Sequence, residues 1–166
     1  MLFSVLLSLY HKESPLFLRQ SLTSIFTQTL LPIEVVLVED GPLTDELYAV
    51  IKEFTSRHPE LKVISLPTNR GLGKALNEGL KHCSYDLVAR MDTDDIAKPN
   101  RFEKQLAIFR EHPEIDVVGA WIDEFEGEVS NVLSMRKVPE QHENILRFAK
   151  GRCPVNHPVV MFRKSA

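Results

Sequence analysis

Cysteine is scarce in this sequence: Cys83 and Cys153 are the only two, and neither sits in a CxxC spacing. That excludes a disulfide framework and a thiolate zinc site, and it suits a reducing cytoplasm. No one charge dominates either. Twenty basic residues face 23 acidic ones, a net charge of −3 without long runs, so no nucleic-acid partner is expected. No apolar stretch reaches the roughly 20 residues of a membrane span. The opening Met1–Leu7 has no basic residue before Lys12 and no small-residue cleavage site, so it reads as a buried strand and not as a leader. Repeats, low-complexity segments and Gly/Ser-rich linkers are missing too, which leaves a single domain over residues 1–166.

What is present is ordinary for a globular domain. Hydrophobic residues make up 43% and charged residues 26%, and a chain of this length buries roughly 70% of its unfolded surface. Strand-length apolar runs alternate with helix-period segments. Phe3–Leu9 reads as a strand. Ser14-Pro15 then starts a helix with Leu18, Leu22, Ile25 and Phe26 on one stripe. Ile33–Val38 is a second strand, apolar enough to be covered on both faces. Leu47, Val50, Ile51 and Phe54 mark a helix closed by His58-Pro59, followed by a strand over Lys62–Leu66. Leu72, Ala75, Leu76 and Leu80 define a third helix, Asp86–Met91 a fourth strand, and Pro99 opens a helix carrying Phe102, Leu106 and Phe109. This order predicts an α/β domain, Rossmann-like, with a mostly parallel central sheet and helices on both faces.

Beyond His112-Pro113 the pattern changes. Asp116–Phe125 and Val129–Val138 read as strands about a turn at Gly127, with a short helix at Gln141–Lys150 and a last apolar run at Val159–Phe162. This is a small β extension toward the C-terminus. Trp121 is expected in the core, and His157 is expected to pack on the last run more than to rim a cleft. The end at Arg163-Lys-Ser-Ala, without capping or turn signal, is expected to be a C-terminal truncation.

Ligands of open α/β sheets bind where the strands end. Here those ends read Ser8-Leu-Tyr10-His-Lys-Glu13, Glu39-Asp40-Gly-Pro, Thr68-Asn-Arg70-Gly and Asp92-Thr-Asp94-Asp95, which together suggest one polar cleft. Residues two apart on extended chain point the same way, so Asp92 and Asp94 can converge. Carboxylates that close repel unless a cation compensates, and a hard ion such as Mn²⁺ or Mg²⁺ suits them. A helix-capping cluster ahead of Pro99 would use the same residues. Asn69-Arg-Gly-Leu-Gly-Lys74 is neither a Walker loop nor a dinucleotide fingerprint, because Thr68 and Leu76 stand where glycines belong and Ala75 follows the lysine. It still offers a helix N-terminus with Arg70 and Lys74 to an anion. Asp40 could receive a base or ribose, or simply start a turn.

Taken in order, Ser4–Tyr10, Ile33–Gly41, Asn69–Gly73, Asp92–Asp95, Pro99–Gln105 and Asn156–Arg163 resemble the family two glycosyltransferases. The resemblance implies a GT-A fold and an inverting transfer from a nucleoside-diphosphate sugar, UDP-linked above GDP- or TDP-linked. It places Ser8 and Tyr10 at the nucleoside and Asp40 at the base, with Arg70 and Lys74 near the base or diphosphate. Asp94 becomes the direct metal ligand of a DxD motif, Asp92 reaches ribose or metal, and Asp95 braces the loop. The cofactor implied is Mn²⁺ or Mg²⁺. The acceptor implied is a saccharide or lipid-linked hydroxyl, in polysaccharide or glycolipid assembly on the cytoplasmic side, peripheral to the inner face of the membrane.

In the family the general base sits in a later acidic motif, which is expected beyond Ala166, and nothing marks Asp123, Glu124 or Glu126 for that role. A non-catalytic nucleotide-sugar-binding module remains an alternative. A sugar-nucleotide nucleotidyltransferase is another, but it wants a basic glycine-rich loop after the first strand. A response-regulator domain wants a phosphoacceptor after the third strand, where Pro67-Thr-Asn-Arg70 stands.

Overall fold

The computed structural model describes residues 1–166. Four strands, β1 (Phe3–Leu9), β2 (Glu34–Glu39), β3 (Leu61–Ser65) and β4 (Leu87–Arg90), alternate with helices α1 (Pro15–Phe26), α2 (Asp45–Arg57) and α3 (Leu72–His82), and α4 (Arg101–Glu111) follows β4. The remainder comprises β5 (Val117–Val118), β6 (Ile122–Phe125), β7 (Val132–Arg136), α5 (His142–Ala149), a 3-10 turn at His157–Val159 and β8 (Met161–Arg163). The main sheet runs β3-β2-β1-β4-β8-β5. The first four strands are parallel, and β8 lies antiparallel between β4 and β5.

Alternation along β1 divides the core. Phe3, Val5, Leu7 and Leu9 pack with α1, α2 and α4, while Leu6 meets Val36, Val38 and Ala75 beneath α3. Helices therefore cover both faces, and every residue of β2 is buried, as its apolar run predicts. Burial of each large side chain stabilises the fold by roughly 1.5–3 kcal/mol. Gly79 lets α3 approach closely, since a Cβ there would lie 2.5 Å from Leu6 Cδ1 and Val38 Cγ2.

Three sequence expectations need correction. Asp116–Phe125 is not one strand: the chain breaks at Gly119-Ala120, β5 joins the main sheet, and β6 pairs with β7 in a separate hairpin. Trp121 is not core. It is 43% exposed, its Nε1 donates to Val138 O at 3.0 Å, and Lys137 lies over its ring. Ser14 does occupy the N-cap of α1, yet its side chain makes no capping bond.

Two buried polar clusters fix the sheet's ends. At the end away from the strand C-termini, Glu34 accepts from Ser4 Oγ (2.5 Å), Lys62 Nζ (2.5 Å) and Ser84 N and Oγ (2.8 and 2.7 Å). Burial alone would raise this carboxyl, but the donors hold it down at about 2. On α4, Arg101 Nη2 donates to Arg90 O at 2.7 Å, and Gln105 Nε2 donates to Val159 O at 2.8 Å. That helix thus pins the end of β4 to the 3-10 turn.

Candidate active site

At the carboxyl ends of β1, β2 and β4 the structure opens a cleft of about 460 Å³. Ser8, Tyr10, Asp40, Asp92 and Asp94, five of the residues singled out in the sequence, all line it. Arg70 and Lys74 are exposed and do not, although their neighbours Asn69, Gly71 and Leu72 do.

Asp40 is 2% exposed, and its two carboxylate oxygens accept from Arg70 N at 2.7 Å and Gly71 N at 2.9 Å. It therefore clamps the 69–71 loop against β2. Gly41 permits this approach twice over. Its φ is +87°, and a Cβ there would lie 2.6 Å from Asn69 N.

The acidic cluster follows β4 on irregular chain, and α4 begins only at Arg101 with Asn100 as N-cap. Capping of that helix is thus not its role. Asp92, Asp94 and Asp95 each bring a carboxylate oxygen within 4.8 Å of the others. Asp92 is held on several sides. Its Oδ1 accepts from Arg90 Nη2, its Oδ2 lies 3.9 Å from His157 Nδ1, and its backbone oxygen accepts from Ser21 Oγ at 3.0 Å. Thr93 turns inward, its hydroxyl reaching Glu13 Oε2 at 3.3 Å and Ser8 O at 3.4 Å. Burial, followed by the charges of Asp92 and Asp94, raises the Asp95 carboxyl to about 6. Three carboxylates within 4.8 Å of one another concentrate negative charge in the cleft, which is the condition a divalent cation relieves. The donor set is all oxygen and fits Mn²⁺ or Mg²⁺.

His157 corrects an expectation, because it projects from its turn into the cleft instead of packing on the last strand. Asn156 sets that turn: it is 3% exposed and donates to Ala120 O at 3.0 Å and Arg136 O at 3.3 Å. Glu13 also lines the cleft and Arg90 braces it, and sequence reasoning gave neither a role. The signal for Arg90 was its place two residues before Asp92 in a strand that is otherwise apolar. Asp123 and Glu124 are turned elsewhere, toward Lys98 and Ser134. Cys83 is buried, and that burial, with Glu34 nearby, lifts its thiol to about 11, consistent with an inert side chain.

A mostly parallel sheet of this order flanked by helices, with an acidic triad at the strand ends, has the α/β architecture of the GT-A class. The model of "Glycosyl transferase family 2" matches residues 4–166, and the chain belongs to that family. It is 52% identical over its whole length to an uncharacterized glycosyltransferase of Haemophilus influenzae, covering 62% of that protein. Over 98% of the chain it is 46% identical to the amylovoran biosynthesis glycosyltransferase AmsE of Erwinia amylovora. Over a like share it is 43% identical to the UDP-Gal:alpha-D-GlcNAc-diphosphoundecaprenol beta-1,3-galactosyltransferase of Escherichia coli. It covers 60% and 58% of those two, so the chain spans about three fifths of the relatives it matches.

Among solved structures, TarS 1–349 of S. aureus in complex with UDP aligns over 98% of this chain and 47% of its own, with TM-score 0.68 and 26% identity. The mannosyltransferase PcManGT of Pyrobaculum calidifontis, in complex with GDP-Man and Mn²⁺, shares the fold at TM-score 0.69 and 19% identity, over 98% of this chain and 44% of its own. No helix is long and apolar enough to cross a membrane.

Proposed function

We propose that this chain forms the donor site of an inverting glycosyltransferase. The enzyme moves a sugar from a nucleoside diphosphate, UDP before GDP or TDP, to a hydroxyl of a saccharide or lipid-linked acceptor in polysaccharide or glycolipid synthesis. The observation that carries this reading is the convergence of Asp92, Asp94 and Asp95 in the cleft that also gathers Ser8, Tyr10 and Asp40. The bound UDP of TarS and the diphosphoundecaprenol acceptor named for the E. coli relative support it.

In this reading Ser8 and Tyr10 line the nucleoside pocket, and Asp40 fixes the loop that borders it. Arg70 and Lys74 lie outside the cleft wall, so contact with base or diphosphate requires their long side chains to reach in over α3's first turn. Asp94 holds the divalent ion, and Asp92, kept in place by Arg90, offers its second oxygen to ion or ribose. When bound, the ion acts as a Lewis acid on the departing diphosphate. An incoming hydroxyl must lose its proton to a carboxylate base, and no residue of this chain is assigned that step.

The test is calorimetric titration of UDP, GDP and TDP with and without Mn²⁺, on the wild-type chain and Asp94→Ala. The expected result is metal-dependent UDP binding that Asp94→Ala weakens at least about tenfold. Preference for GDP or TDP would change the donor and keep the class. UDP binding indifferent to both Mn²⁺ and Asp94→Ala would overturn the metal assignment.

A further inference from the structure

Strand order gives the cleft a direction. Its wall passes from Asp40 after β2 to Ser8 and Tyr10 at the end of β1, then to Asp92 and Asp94 after β4. The next strand in the sheet is β8, and from that side the cleft is reached by His157, in the turn just ahead of the strand. A ligand laid from the nucleoside pocket across the acidic cluster therefore ends beside His157.

Charge singles out the same residue. The cleft is lined by four carboxylates, those of Glu13, Asp40, Asp92 and Asp94, and His157 is the one basic side chain among its lining residues. Arg90 is buried and engaged with Asp92. An anion in the cleft thus faces a single basic side chain of this chain.

The mount of His157 is fixed while its ring is free. On one side Asn156 bonds to Ala120 O and Arg136 O. On the other, Val159 O accepts from Gln105 Nε2 and Val160 O from Arg90 N, both at 2.8 Å. The imidazole is 59% exposed, and its Nδ1, 3.9 Å from Asp92 Oδ2, is beyond hydrogen-bond range. The ligand oxygens of the three aspartates converge without it. A held backbone carrying an unengaged polar ring is the arrangement of a preorganised donor.

Resting on the transferase reading above, we infer that His157 touches the distal phosphate of the donor, the one bonded to the sugar. A ring N–H donates to an oxygen of that phosphate. The bond from the anomeric carbon to the phosphate oxygen breaks, its electron pair stays on the departing diphosphate, and the acceptor oxygen takes its place on that carbon. The acceptor proton goes to the carboxylate base, so no proton passes through His157. Its hydrogen bond strengthens as negative charge grows on the leaving group, which makes it a catalytic residue for departure.

The test compares UMP with UDP, which differ by the distal phosphate alone. Each is titrated calorimetrically with Mn²⁺ into wild type, His157→Ala and His157→Gln. His157→Ala is expected to weaken UDP roughly tenfold and UMP less than about twofold. Glutamine keeps an N–H donor on a side chain of similar reach, so His157→Gln should recover much of the loss. Mn²⁺ titrated alone should bind all three equally, and their thermal unfolding should coincide because the ring is exposed.

Equal weakening of UMP and UDP would make the role structural and overturn the proposal, as would UDP affinity unchanged in His157→Ala. Weaker binding of Mn²⁺ alone would place the ring on the ion and overturn it too. Failure of wild type to bind either nucleotide would count against the donor reading instead. Inorganic pyrophosphate with Mn²⁺ then decides on His157: the phosphate contact stands if His157→Ala weakens it, and falls if pyrophosphate binds unchanged or not at all.

Discussion

The parallel sheet and the hairpin that follows it use similar side chains with opposite results. All six residues of β2 and all four of β4 are buried, and β1 is almost as enclosed. In β7 all five residues are exposed, including Val132, Leu133 and Met135, and α5 buries none of its eight. Both regions form backbone ladders, since β6 and β7 pair antiparallel with a single bulge. The difference is the layer above them. Periodicity and backbone pairing suffice to make an element, while burial requires a second element to close over it, and a two-stranded hairpin alone is marginal. Point contacts secure the hairpin instead: Lys98 to Asp123 at 2.5 Å, Trp121 to Val138, and Asn156 to Ala120 and Arg136.

One substitution made in both regions breaks the comparison most directly. Leu7 is fully buried, and Leu7→Ala should lower unfolding free energy in urea by about 3 kcal/mol. A loss below about 1 kcal/mol would mean that the sheet is far looser than its packing indicates. Next in size is the buried carboxylate. Glu34→Gln should cost about 2 kcal/mol at pH 7, because donors from Ser4, Lys62 and Ser84 lose a charged acceptor.

The pH dependence of that loss follows from the sign of the shift. Glu34 is held at about 2 against an ordinary 4.5, so its contribution is complete above 4.5 and disappears as pH falls toward 2. The gap between wild type and Glu34→Gln should therefore close across that window in acid-titrated denaturation curves. Smallest is Leu133→Ala. Leu133 is 64% exposed, and the change should shift stability by less than about 0.5 kcal/mol. A loss comparable with that of Leu7→Ala would show that the hairpin is covered in solution.

The same contrast explains what the sequence made legible. Apolar runs such as Ile33–Val38 announced their strands, because a strand buried on both faces has no polar residue to confuse the pattern. Even there, Ile33 proved to be exposed and the strand to start at Glu34, whose charge disguised a buried position. Asp92 and Asp94 were legible from spacing alone. His157 was not, because its direction depends on Asn156 bonding to two distant carbonyls, a relation no local window contains. Arg90 was hidden for a similar reason, since its burial arises where β4, α3 and the segment before β8 meet. The exposure of Trp121 escaped too. Composition favours tryptophan in cores, but here the hairpin offers no core to enter.

The insertion of β8 between β4 and β5 has a consequence for how the molecule is made. Leu87 pairs with Arg163 and Ala89 with Met161, so β4 waits for a segment synthesised long after it. Until Met161–Arg163 leaves the ribosome, the nascent domain carries β4 as an open edge, with unpaired amides beside an apolar face. Such edges template pairing with other chains. β5 cannot shield it, because its two residues join the sheet only through β8. The period between translation of β4 and of β8 is therefore when this chain most needs protection from its neighbours.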